Sequence, residues 1–386
     1  METQIKSNRE VYLDLVKFFA MIMMVAGHTF FEMANPETYN INLFPWDWWG
    51  FLRGKTAPTF LFLSGAVHVF ANFKSGAAEI SKEAFHRRIV MSLVLLVIGY
   101  TMNSPINSFS ELFSVSDSKL HLFFQVNILH IFGIGLFILA LIYKFGKSPQ
   151  NVLYISLAFG IATIVLAPIA VSSELDYLPV FIRNYFNYKA GSIFTLLPYI
   201  AYIFMGTVFG ILLRNFKISQ NNIPPKQNGL NKYSLNILML FSSIILIVSG
   251  IIITKLCIAG GMGIEMRSDT GAVTRNLGII TALIFLARQI KINSLKFQSL
   301  ITTLSRRAIY IYIVHLFFIY GIGNIHGLKF YLHNQFSPPS AFLISFGVII
   351  SSILITLLID KSLKYKISKM IYLLIFIIYS IVFFVQ

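Results

Sequence analysis

Long apolar runs recur along this chain, each close to the length a helix needs to cross a bilayer. The hydrocarbon core is about 30 Å thick, so a crossing helix takes about 20 mostly apolar residues. Eleven segments fit: 10–31, 57–73, 88–104, 122–143, 151–171, 193–213, 234–254, 272–288, 307–325, 340–360 and 368–386. The second, third and eighth are short and carry polar interruptions. Continuous runs, rather than ten-residue alternation, predict helices and exclude an outer-membrane barrel. Charged residues make up 12% of the chain, against about a quarter in soluble domains. The mean hydropathy is +0.74. The expected fold is an all-α polytopic membrane helix bundle.

The loops test that count independently. With the N-terminus in the cytoplasm, 21 basic residues fall inside and 8 outside, and Lys17 and Arg275 fall within spans. An excess of Lys and Arg in cytoplasmic loops is the orientation rule for membrane proteins. The expected topology is therefore N-in and C-out, and the net charge of +16 serves the lipid bilayer rather than nucleic acid. The first helix is no cleavable signal peptide, because Asp14 and Lys17 interrupt it and no small-residue cleavage pattern follows. One cysteine permits neither an internal disulfide nor a cysteine-based metal site. No loop holds a soluble domain, so residues 1–386 read as a single membrane domain with a cytoplasmic linker near 214–233.

Ionisable groups inside a membrane are expensive and mark function by default. Asp14, Lys17 and His28 share the first helix. Eleven residues separate Lys17 from His28, three turns plus about 20°, which places them on one stripe roughly 16 Å apart. Asp14 and Lys17 also fit plain snorkelling to the cytoplasmic headgroups. His68, His130 and His315 fall in spans, where an imidazole also serves as an interhelical hydrogen-bonding group. No two histidines stand three or four apart on one helix, so no dedicated metal site is expected.

Arginine pairs open two helices at their cytoplasmic ends: Arg87-Arg88 and Arg306-Arg307. Paired guanidinium groups suit phosphate oxygens, and they equally serve topology. The outer loop carries Trp46, Trp48 and Trp49, which fit either a sugar-stacking platform or an interfacial aromatic belt. Gly206 and Gly210, four apart, fit a homodimer contact or packing within the chain. Asp14, Lys17 and Arg275 are also compatible with the translocation path of a secondary transporter or flippase.

The stretch Leu13-Asp14 through Lys17, followed by Ala26-Gly27-His28, resembles the opening helix of the transmembrane acyltransferases (acyltransferase-3-like). Lys17 stands where that pattern has arginine, which keeps the charge and loses the bidentate fork. Phe51-Leu52-Arg53 with Ala57-Pro58-Thr59-Phe60-Leu61-Phe62-Leu63-Ser64-Gly65 resembles the bacterial relatives of heparan-α-glucosaminide N-acetyltransferase, as does Leu196-Leu197-Pro198-Tyr199 through Gly206. His86-Arg87-Arg88, Asn127 through His130, Tyr312 through His315 and Arg275-Asn276 fit the same pattern less specifically. The resemblance implies transfer of an acetyl or other acyl group from cytoplasmic acetyl-CoA to a hydroxyl or amine of a sugar or glycan acceptor at the outer face. It implies His28 as general base or acyl-accepting nucleophile, with Asp14 and Lys17 beside it on the first helix. No histidine occurs within 32–56, which strengthens that choice. Arg87, Arg88, Arg306, Arg307 and His130 would then hold the donor, and Arg53, Trp46, Arg275, Asn276 and His315 the acceptor. The implied location is the bacterial cytoplasmic (inner) membrane.

Overall fold

A computed structural model describes residues 10–73, 80–102, 104–105, 108–173, 175–188, 191–221, 228–260, 269–322 and 325–363. The described chain is helical: α1 Val11–Met33, α2 Trp46–Asn72, α3 Lys82–Thr101, α4 Asp117–Phe123, α5 Ile128–Gly146, α6 Pro149–Ser172, α7 Val180–Arg183, α8 Leu196–Asn221, α9 Asn228–Ala259, α10 Thr270–Gln289, α11 Leu295–Arg306, α12 Ala308–Tyr320, α13 Leu328–Leu332 and α14 Pro338–Ser362. Two-residue strands β1 (Gly321–Ile322) and β2 (Ile325–His326) pair antiparallel between α12 and α13. Among the described helices, eight are long and apolar enough to cross a membrane: α1, α3, α5, α6, α8, α9, α10 and α14. The chain is an all-α polytopic bundle, as the hydropathy predicts. The segment 368–386 lies outside the described residues.

Two elements depart from the expected spans. The loop read over 32–56 is shorter, because α2 starts at Trp46, eleven residues ahead of its apolar run. Asp47 opens this helix, its carboxylate accepting from the Trp48 amide at 2.7 Å. The polar residues Arg53 and Lys55 thus ride on helix rather than loop. At the other end, α12 has 13 residues, about 20 Å at 1.5 Å each, and stops short of the span expected over 307–325. Gly321 terminates it with φ +82°, a conformation that favours glycine because a Cβ would collide there.

The helices begin where capping chemistry is available. The Asn127 side chain accepts from the Leu129 amide at 2.9 Å, and His130 Nδ1 accepts from the Asn127 amide at 3.1 Å, a reciprocal cap that starts α5. Ser148 caps α6, with Pro149 in its first turn. Buried Asp269 caps α10, accepting from the Gly271 and Ala272 amides at 3.0 Å each, and also receives the Thr254 hydroxyl of α9. Asp269→Ala removes the cap and this tie between helices. The expected cost is about 1–2 kcal/mol, read as a lower melting temperature of the protein in detergent.

Two compact units emerge. The larger comprises the chain up to Lys17, Ala57–Leu96 and Val126–Thr302, and the smaller comprises Phe18–Thr56, Val97–Gln125 and the chain from Thr303. In the larger unit α9 packs on α10 and α6 on α8. There, α2 and α8 meet backbone to backbone. A Cβ on Gly206 would enter the Phe62 carbonyl oxygen, and one on Gly65 the Ile203 carbonyl oxygen. A Cβ on Gly210 would sit 2.7 Å from the Ala66 oxygen. The Gly206–Gly210 stripe is therefore used for packing within the chain. In the smaller unit α12 packs on α14, and the Ser345 hydroxyl of α14 reaches the Ala26 carbonyl of α1 at 3.4 Å.

Candidate active site

His28 lies on the part of α1 that belongs to the smaller unit, and the residue is half-buried. The fully buried His315 ring of α12 is 5.6 Å away between centroids, and the Tyr312 ring, one helical turn earlier, is 6.4 Å away. Tyr312 and His315 are themselves in edge contact at 4.9 Å. Their i, i+3 spacing on α12 places both on the face toward His28. Among the described residues neither nitrogen of His315 has a hydrogen-bonding partner within 3.5 Å. Two histidines that the sequence offered separately, His28 and His315, thus form one cluster.

Arg53 joins them from α2. Its stem lies where a Gly27 side chain would be, since a Cβ there would meet Arg53 Cγ at 2.8 Å. Its guanidinium sits 4.7 Å above the Phe31 ring. The glycine before His28 therefore lets a long cation lie along α1 beside the imidazole. The Arg53 guanidinium and the Glu32 carboxylate both act electrostatically on the His28 ring.

Glu32, one turn beyond His28, is a residue the sequence reading missed. It is buried and gathers three partners, one from the last residue of α12 and two from the segment that follows. The Tyr320 hydroxyl donates to Oε1 at 3.0 Å, Lys329 Nζ lies 3.1 Å from Oε2, and His333 Nδ1 lies 3.3 Å from Oε2. Backbone bonds reinforce this closure: the Asn334 amide donates to the Glu32 carbonyl at 3.1 Å, and the Phe336 amide to the Met33 carbonyl at 3.0 Å. A carboxylate four residues after a membrane histidine was the only signal available, and it fell in the stretch read as outer loop.

The other candidates are distributed between the units. Trp46 in the smaller unit stacks on Phe30 at 5.5 Å and faces Phe342 at 6.4 Å, within an aromatic cluster that includes Tyr39 and Trp49. Arg306 is exposed, and Arg307 pairs with Asp360. Asp14 and Lys17 belong to the larger unit, where Asp14 is buried and the Lys17 ammonium lies 5.1 Å from the Phe60 ring centre. Arg87 is exposed, and Arg88 lies 5.7 Å from the Tyr143 ring centre. His130 closes the α5 cap, and Asn276 donates to the Tyr202 hydroxyl at 3.0 Å. Arg275 stands in the close α9–α10 contact, where a Gly250 Cβ would meet its backbone.

Residues 9–254 match the heparan-alpha-glucosaminide N-acetyltransferase catalytic family. The chain belongs to that family. No curated protein matches it. The N-acetyltransferase match carries His28, Arg53, Trp46, Lys17, Arg88 and His130, while Arg275, Asn276, Arg306, Arg307, Tyr312 and His315 lie beyond it. It also draws on both compact units, taking in 18–56 and 97–125 of the smaller one. Family membership and the apolar helices together define a multi-pass membrane acetyltransferase.

Proposed function

We propose that the protein transfers an acetyl group from cytoplasmic acetyl-CoA to an amine or hydroxyl of a sugar or glycan at the outer face of a bacterial cytoplasmic membrane. The observation that carries this reading is half-buried His28, which lies within the family match and is set among Tyr312, His315 and Arg53. Eleven spans with the N-terminus inside are part of the proposal, as is one catalytic domain over residues 1–386. In this reading His28 takes the proton from the acceptor N–H or O–H as that heteroatom attacks the thioester carbonyl. The tetrahedral adduct then expels the CoA thiolate, which recovers the proton from the imidazolium. Arg53 and His315 orient the acceptor, and Arg87, Arg88 and the exposed Arg306 supply positive charge for the donor's phosphates. Glu32 fixes the end of α1, and hence the height of His28 in the site.

The test uses purified protein in detergent with acetyl-CoA labelled on the acetyl group and a panel of amino sugars and glycans. Label appearing in an acceptor with equimolar release of free CoA is the expected outcome. Absence of both CoA binding and CoA release across the panel would sink the reading.

Gly27→Ala tests the Arg53 placement. The new Cβ meets a flexible stem rather than backbone, so melting should change little. Displacing a positioned cation by about 1 Å should lower turnover up to about 10²-fold. Adding Arg53→Ala to that variant should then cost far less than it does in the wild type, because the two changes break one contact.

A further inference from the structure

Within the larger unit, three polar side chains that the catalytic reading does not use, His68, Asn72 and Tyr143, converge on Arg88. His68 and Asn72 are four residues apart on α2 and so share a face. Asn72 is buried, yet among the described residues neither its Nδ2 nor its Oδ1 has a hydrogen-bonding partner within 3.5 Å. The hydroxyl of buried Tyr143 on α5 is directed at Asn72 and Thr207, and among the described residues it has no partner within 3.5 Å. Arg88 of α3 lies over the Tyr143 ring, and its buried Nη1 has no partner. His68, whose Nδ1 is also buried and unpartnered, feels the charges of both Arg88 and Lys17. The rim is aromatic and cationic: Tyr143 meets Phe73 at 5.4 Å, and Arg214 of α8 lies 5.5 Å from the Phe73 ring centre.

A buried donor or acceptor left unpaired costs about 1–3 kcal/mol, so native structures seldom hold one without a reason. Here several adjoin. Donors predominate: Arg88 Nη1, Asn72 Nδ2 and Tyr143 Oη can all donate, beside one amide acceptor, Asn72 Oδ1. Among the described residues Arg88 has no carboxylate within ion-pair distance, and a desolvated guanidinium needs an anion. Water would satisfy single donors but would leave that charge uncompensated. A phosphate group supplies the charge and several acceptor oxygens together, in the fork geometry a guanidinium favours.

We infer that Asn72, His68, Arg88 and Tyr143 form a phosphate-binding site for the diphosphate of the acyl donor. The inference rests on the acetyl-CoA reading for the identity of the ligand, while the anion site itself stands on the geometry.

Wild-type protein in detergent is titrated by calorimetry with CoA and, separately, with inorganic pyrophosphate. Both should bind, and each should weaken at least ten-fold in Asn72→Leu and in Arg88→Lys. Without ligand, Asn72→Leu should melt no lower than wild type, because it replaces an unpaired buried amide by an apolar group of similar volume. A variant that melts lower while its affinities are unchanged would identify Asn72 as purely structural and overturn the site. So would a wild type that binds neither probe. Thermal protection by phosphatidylglycerol micelles with none from CoA or pyrophosphate would overturn the assignment to the donor. Pyrophosphate binding that is lost in the variants, alongside no CoA binding by wild type, supports the site and sinks the acetyl-CoA reading. Unchanged affinities in both variants, with acetyl transfer intact, would sink the site and leave that reading standing.

Discussion

His28→Ala should abolish acetyl transfer while leaving a protein that purifies and melts like the wild type. A positioned general base contributes about 10²–10⁴-fold, and a nucleophile that carries the acyl group contributes more. The neighbours explain why nothing else should take over. His315 is fully buried behind Tyr312 and His28, and Arg53 has no basic lone pair to offer. His28 is only half-buried, so stability should hold. Labelled acetyl-CoA turnover and a melting curve, taken on the same preparation, separate the two effects. His28→Asn is a companion variant, since it keeps a polar side chain and loses the basicity. Turnover within ten-fold of wild type in both variants would remove His28 from the chemistry.

Gly206→Val should have an equally large effect of another kind. The carbonyl oxygen of Phe62 occupies the volume a side chain at 206 would need, and a backbone carbonyl within a helix cannot rotate aside. Overpacking a core costs about 1–3 kcal/mol where side chains can adjust. Here α2 and α8 must separate, so the loss should reach or exceed the top of that range. The expected result is little monodisperse protein after extraction, together with loss of activity. Gly347→Ala is the control, because a Cβ on Gly347 meets nothing within 4 Å. Equal yields of the two variants would show that α2 and α8 do not depend on this contact.

How much of this was legible in the sequence follows from which physical signal each feature leaves. Hydropathy located α1, α3, α5, α6, α8, α9, α10 and α14, because lipid demands long apolar helices whatever their packing. The start of α2 was hidden, since Asp47, Arg53 and Lys55 interrupt the apolar run while remaining helical. His28 and His315 each stood out as polar groups in apolar surroundings. Their meeting did not, because it depends on how α1 and α12 pack, and 287 residues separate them. His333 was passed over as a loop histidine and Glu32 as part of an outer loop, although they clasp each other. Gly65 went unremarked in a motif noted for other reasons, yet it mirrors Gly206 across the α2–α8 contact. Periodicity records which residues avoid water. Partners far apart in sequence leave no such record.

The clasp around Glu32 also sets an order of assembly. The residues that close the C-terminal end of α1, Tyr320 to Phe336, are made about 300 positions after it. At synthesis rates of about 5–20 residues per second, the interval is on the order of 15 s to a minute. For that time the Glu32 carboxylate has none of the partners that later surround it, and it must stay hydrated. The helix bearing His28 can therefore settle only once the chain has returned to it, so the site is completed long after its own helix has been made.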